Sequence, residues 1–167
     1  MSLPEFDTRR AQPSDADALA AAHRDSIRSI GPRYYPPDVV DAWCAGLTAA
    51  VYVNAMNRGE VFFIATGEVD GAPGVLGFAT HRVDEGRHGT SVYVRGRAAR
   101  QGIGTALFRL AEADAVASGA ATIQIEASLP GVEFYKAHGF EEISRGETRL
   151  RSGAPIATVI MRKTLAT

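Results

Sequence analysis

The residues able to do chemistry cluster first in Ser91–Thr105, which reads SVYVRGRAARQGIGT. Ser91 to Val94 alternates like a strand, Arg95-Gly96-Arg97 turns, and from Gly102 onward Ile103, Ala106, Leu107 and Leu110 recur at helical spacing. A glycine-rich turn between a strand and a helix points backbone N–H groups with no intrahelical partner at one spot, where the helix terminus adds partial positive charge. Arg100, Gln101, Gly102, Ile103, Gly104 and Thr105 therefore read as an anion cradle, with Gly102 and Gly104 lacking the Cβ that would hold a phosphate away. Arg95, Arg97, Arg100 and Lys136 either reach such an anion or remain solvated surface charges.

Two groups are candidates for moving protons. Glu126 stands near the end of a strand-like run, out of phase with Ile123 and Ile125, and serves either as a proton acceptor or as a cap or ion-pair partner. His81 also ends an apolar run and is of the residue type most used to exchange protons, although Arg82 beside it and the nearby His88 fit an exposed position. Cys44, next to Trp43 in a helical stretch with no histidine close in sequence, reads as packing rather than as a nucleophile. No His, Cys, Asp or Glu spacing matches a metal site.

These residues need a scaffold, and the pattern supplies one. Phe6–Ala11 reads as a first strand, and Ser14 as the cap of an Ala-rich helix running to about Ser29. Pro36-Pro37-Asp38 opens a second helix, and Thr48–Asn57 makes a third. Val61–Ala65 and Val75–Ala79 flank a turn at Asp70–Gly74 as a hairpin, followed by a strand over Gly89–Val94. The Gly102 helix stops at Ser118-Gly119, Ala121–Ala127 is the next strand, and Ser128 caps a short helix carrying Phe134 and Tyr135. Glu141–Leu150 and Ile156–Lys163 close the chain as two strands, with Phe134 and Phe140 assigned to the core.

The pairing of RQGIGTALF (Arg100–Phe108) with FYKAHGF (Phe134–Phe140) resembles the GNAT superfamily of N-acetyltransferases, whose signature is Arg/Gln-x-x-Gly-x-Gly/Ala at a strand-to-helix turn. The resemblance runs from about Glu60 to Lys163, with Ala99 where the signature opens on Arg or Gln, and Pro130-Gly131 where many relatives carry Asn. It implies an α/β (α+β) fold: a mixed, mostly antiparallel central sheet of about seven strands flanked by helices, with a V-shaped opening between two central parallel strands. It further implies acetyl-CoA as co-substrate, its pyrophosphate on the Arg100–Thr105 amides and its thioester carbonyl on the amides of Tyr93 and Val94. Tyr135 takes the position of the family's general acid, its pKa of about 10 suiting it to protonate a departing thiolate. Glu126 falls near the gap between the parallel strands, and Tyr34, Tyr35, Trp43 and His81 fall on the acceptor side.

On this resemblance the chain is an acetyl-CoA-dependent N-acetyltransferase acting by direct attack in a ternary complex. Its acceptor is a small-molecule amine, a peptide N-terminus or a lysine; an acyl-CoA-binding regulatory module is the alternative, and terminal strands pairing across a homodimer fit by analogy. The 167 residues suit a single domain spanning 1–167, and a net charge of −1 gives no general pull toward nucleic acid or anionic membrane. One cysteine, no apolar signal core in Met1–Arg10 and no membrane-length apolar run make a cytoplasmic protein the expectation. A dinucleotide fingerprint is set aside because Leu107 stands where its third small residue belongs.

Overall fold

The computed structural model describes residues 5–165, so the outermost ends of the expected 1–167 domain lie outside the described residues. Strands β1 (Asp7–Arg10), β2 (Val61–Val69), β3 (Ala72–Asp84), β4 (Arg87–Val94), β5 (Thr122–Ser128), β6 (Glu141–Arg149) and β7 (Pro155–Thr164) form one sheet in the order β1-β2-β3-β4-β5-β7-β6. Every neighbouring pair is antiparallel except β4 and β5. That parallel pair shares a single bridge, His88 opposite Ile123, after which the strands part toward Val94 and Ser128. The mixed sheet with a V-shaped opening is therefore present.

Helices α1 (Ala16–Ile30), α2 (Pro37–Ala45) and α3 (Ala49–Asn57) cover one face, and α4 (Ile103–Ala117) and α5 (Val132–Ala137) cover the other. Period-two alternation sorts the strand residues between these layers. Phe62, Ile64 and Phe78 pack under α1 and α3 with Leu19 and Tyr52, while Ala65, Ala79 and Leu76 meet Ile103, Leu107 and Ala111 of α4. Beyond the opening, Ile123, Ile125 and Ala127 pack with Phe108, Tyr135, Phe140 and Met161. The buried stripe of α4 is Ile103, Leu107, Phe108, Ala111 and Ala115, so Ala106 and Leu110, expected on it, lie at its margin. Among the described residues no single helix is long and apolar enough to cross a membrane.

Two caps differ from expectation. Ser14 lies inside a short 3-10 turn, Pro13–Asp15, and Asp15 takes the N-cap position of α1 without a side-chain capping bond to it: its carboxylate instead accepts from the Gln12 N–H at 2.7 Å, closing the turn, and pairs with Arg9 at 2.9 Å. Ser128 precedes another 3-10 turn, Leu129–Gly131, without a side-chain capping bond. In both places a proline forces a tight 3-10 entry before the helix proper, which side-chain type alone does not reveal.

Under α1, His23 packs its ring 3.9 Å from that of Tyr93 and meets the Tyr52 hydroxyl through Nδ1 at 2.9 Å. Burial, reinforced by the charges of Arg151 and Arg24, pushes this imidazole down to about 3. The unfolded chain binds a proton near 6.5 that the folded chain refuses until about 3, so this stabilisation is whole above 6.5 and is lost as pH falls. Thermal melts should therefore drop between about pH 6.5 and 5, above the range of ordinary carboxylates, and His23→Gln should flatten that limb. Melting that is independent of pH in this window would contradict the assignment.

Candidate active site

The site begins where β4 loses its partner. Arg95 donates its N–H to Leu76 O at 2.8 Å, which fixes the alternation along β4: Tyr93, opposite Phe78, directs its N–H into the β3 ladder, and Val92 and Val94 direct theirs into the gap. The expectation that Tyr93 offers its amide is corrected here, because the ladder uses it; Val92 and Val94 carry the available pair. Val92 N–H donates to the Tyr135 hydroxyl at 3.1 Å, spanning the opening. Tyr135 is 7% exposed, and burial, with Tyr93 adding, raises its phenol well above the ordinary value. It therefore stays protonated, its oxygen accepting from Val92 and its own proton available to a neighbour.

The cradle adjoins this point. Ala106 N–H to Gly102 O, at 3.1 Å, is the first helical bond of α4, so the N–H groups of Gly102, Ile103, Gly104 and Thr105 have no acceptor within the helix. Gly102 has φ 86°, and a Cβ there would meet nothing within 4 Å: the glycine is needed for backbone conformation and leaves open space in front of the amides. Arg100 adopts φ 62° without being glycine, a strain worth about 1 kcal/mol held in the cradle itself. At Gly104 a Cβ would sit 3.2 Å from the Phe134 ring, so this glycine admits the aromatic of α5 against the helix start.

α1 anchors the loop from behind. Asp25 accepts from Gly96 N–H at 2.9 Å and lies 3.6 Å from the Arg95 guanidinium, which also donates to Val75 O at 2.7 Å. A Cβ on Gly96 would fall 2.4 Å from Ser29 Oγ. Nothing in the local sequence signals this contact, since Asp25 and Ser29 lie on a distant helix.

Together these pieces enclose a cleft of about 270 Å³. Its walls include Ile27, Trp43, Val92, Val94, Phe134 and Tyr135, its floor Gly102, Gly104 and Thr105, and Arg100 is the one charged residue among the described residues lining it. Phe134, expected in the core, is half-buried and forms wall. Gly131 lies where Cβ would crowd the Tyr135 ring at 3.1 Å, which gives the Pro130-Gly131 departure a packing reason. Ile103 is fully buried beneath the floor, and Gln101 is exposed with its amide on Arg97 O at 3.3 Å.

Other candidates stand apart. His81 is buried on the α4 face, its ring bridging Asp114 at 2.6 Å and His88 at 2.8 Å, away from the cleft. Tyr34 is exposed and is not part of the cleft lining. Tyr35 is buried with its hydroxyl fully engaged, donating to Ala157 O at 2.7 Å and accepting from Leu129 N–H at 2.8 Å; it pins the loop to β7. Glu126 is exposed opposite Ile160 of β7 and is not among the residues lining the cleft. Arg97 pairs with Asp70, Lys136 lies 3.8 Å from Glu133, and Cys44 is buried. Of the acceptor-side aromatics, Trp43 alone reaches the cleft, edge-on to Tyr93 at 6.4 Å.

Residues 35–165 match the family model described as an acetyltransferase (GNAT) domain. No curated protein matches the chain. Among solved structures, a GCN5-related N-acetyltransferase from Rhodopseudomonas palustris is 28% identical with a TM-score of 0.80, covering 99% of this chain and 98% of its own. The paiA N-acetyltransferase of Thermoplasma acidophilum, solved in complex with coenzyme A, is 17% identical with a TM-score of 0.78 over 96% of this chain and 99% of its own. A putative acetyltransferase of Salmonella typhimurium, yncA, solved with acetyl-CoA, is 17% identical with a TM-score of 0.66 over 98% and 95% of the two chains.

The α1–cradle contact is open to test by double-mutant cycle. Gly96→Ala should destabilise the fold by about 1–3 kcal/mol in urea unfolding, and Ser29→Gly should recover most of that loss. Equal costs of Gly96→Ala in both backgrounds would show that the contact is not made.

Proposed function

We propose that this chain, which belongs to the GNAT acetyltransferase family, transfers an acetyl group from acetyl-CoA to an amine by direct attack in a ternary complex. The observation carrying this reading is the meeting of Val92 N–H and the Tyr135 hydroxyl at 3.1 Å, beside the free amides of α4. An acyl-coenzyme A fits these features: an extended arm can add to the open edge of β4 at Val94, and a diphosphate can rest on Gly102–Thr105 where no side chain intrudes. When bound, it supplies an activated acyl group as a thioester. We take residues 1–167 as one acetyltransferase domain working in the cytoplasm, a setting that suits the free thiol of Cys44.

The chain's own groups then divide the work. Val92 N–H stabilises negative charge on a carbonyl oxygen placed in the gap; one such donor is worth about 3 kcal/mol in other enzymes. Once that N–H has a new acceptor, the Tyr135 hydroxyl is released from it and donates toward a leaving sulfur. The phenol's raised pKa does not prevent this, because the same burial raises the basicity of a thiolate beside it.

Ile27, Ile30 and Trp43 make the acceptor side apolar, so an ammonium ion would lose hydration there without a carboxylate in return. The amine enters neutral. Glu126, exposed and outside the cleft lining, has no part in this scheme, and water takes the amine proton.

Three outcomes follow. Acetyl-CoA and free CoA should raise the melting temperature where NAD does not, a ligand at about 100 times its Kd adding about 2.7 kcal/mol. Tyr135→Phe should lower turnover in a thiol-release assay by about 100-fold or more, with acetyl-CoA affinity by calorimetry nearly unchanged; full turnover would remove Tyr135 from the mechanism. Amines of low basicity should outperform alkylamines at neutral pH, the rate rising with pH through the acceptor's own pKa; a preference for polycationic amines would contradict the neutral-entry reading.

A further inference from the structure

His138, the histidine of the FYKAHGF run, follows α5 and has both ring nitrogens engaged. Nδ1 lies 2.7 Å from Phe134 O, and Nε2 lies 3.0 Å from Thr105 Oγ1. α5 ends tightly, with the His138 N–H bonded to Tyr135 O, so the Phe134 carbonyl is left for the ring. A carbonyl only accepts, so Nδ1 must carry a proton. The neutral ring then has a bare Nε2, and the Thr105 hydroxyl must donate its only proton to it. In that state Thr105 presents lone pairs, not a proton, to anything resting on the α4 terminus. In the imidazolium the bond reverses: Nε2–H donates to Oγ1, and the hydroxyl proton is free to turn toward an anion.

We infer that His138 is a positioning residue for the phosphate cradle, acting through the Thr105 hydroxyl so that binding of the diphosphate is coupled to uptake of one proton by His138. The inference rests on the coenzyme A reading of the cleft. Thr105 belongs to the cleft floor, and its amide is among the free donors of the α4 terminus. The groups packed around the ring leave this proton as the adjustable one. Phe108 and Phe134 lie at centroid distances of 5.2 and 4.2 Å and do not titrate. On β7, Lys163 packs against Gly139 and is paired with Glu112 of α4; on α5, Lys136 lies 3.8 Å from Glu133 and 3.9 Å from Glu142 of β6. Arg100, in the cradle, keeps its charge throughout.

The sign is fixed. A ligand that binds the protonated form better is bound tightest at low pH, and its affinity falls as pH rises. The test uses 3′-dephospho-coenzyme A, which lacks the phosphomonoester that itself titrates near neutrality. Calorimetry in buffers of different ionisation enthalpy should show proton uptake on binding, with affinity rising up to about tenfold from about pH 8 to about pH 5.5. His138→Gln, whose amide can donate to Thr105 at every pH, should bind with no such dependence, and Thr105→Val should lose both the dependence and part of the affinity. Proton NMR offers a check without substitution: of the four histidines, the His138 ring should titrate at higher pH with ligand than without.

Binding without proton uptake, or the same pH dependence persisting in His138→Gln, overturns the inference while leaving the cofactor site standing. Absence of any binding at any pH overturns both.

Discussion

A single backbone bridge, His88 to Ile123, joins the two halves of the sheet, and the chemistry depends on what happens just beyond it. Buried backbone donors need partners. By parting after one bridge, β4 and β5 leave Val92 and Val94 pointing into a gap that no strand fills. The protein meets part of that need with the Tyr135 hydroxyl. The closed end of the gap is fastened from the side by Asp114, His81 and His88, which run from α4 through β3 to β4 at the bridge itself. The open end is set by α5 and the α4 terminus, kept close by Phe134 lying against Gly104. The divergence is thus held at both ends.

Much of this was legible in the residues because it is local. Period-two and helical spacing located every strand and α-helix, but β3 runs over Ala72–Asp84 where only Val75–Ala79 reads as strand, because pairing with β2 and β4 carries it through Pro73 and Gly74 at one end and Arg82–Asp84 at the other; the glycines around residue 102 marked a turn whose amides are free. What stayed hidden depends on contacts across the fold. Strand phase places Tyr93 and Val92 on opposite faces, but only the register against β3 reveals which of them has a spare N–H. His81 reads as a surface residue or a site residue until Asp114, far along the chain on α4, is brought beside it. Tyr35 looks like a rim aromatic next to Tyr34 until its hydroxyl is seen to be consumed by Ala157 and Leu129.

The glycines teach the same lesson in another form. Gly102 is needed for its φ of 86°, a property that a turn motif announces. Gly96, Gly104 and Gly131 are needed because Ser29, Phe134 and Tyr135 occupy the space a Cβ would take, and no pattern within a short window records that. His138 belongs to this second group. Its position beside a glycine suggests only a helix stop, whereas its ring ties the end of α5 to the start of α4.

The central claim is that the gap-facing edge of β4 and the α4 terminus act as one surface for acetyl-CoA. Residue-resolved amide hydrogen exchange with and without saturating acetyl-CoA addresses it directly. The amides of Val94 and Gly102–Thr105 should gain protection, while Tyr93, already bonded to β3, and Val92, which exchanges the Tyr135 hydroxyl for a new acceptor, should change little. Exchange at Val94 and Gly102–Thr105 that is unaltered by bound acetyl-CoA, or protection appearing on another face, would contradict the account.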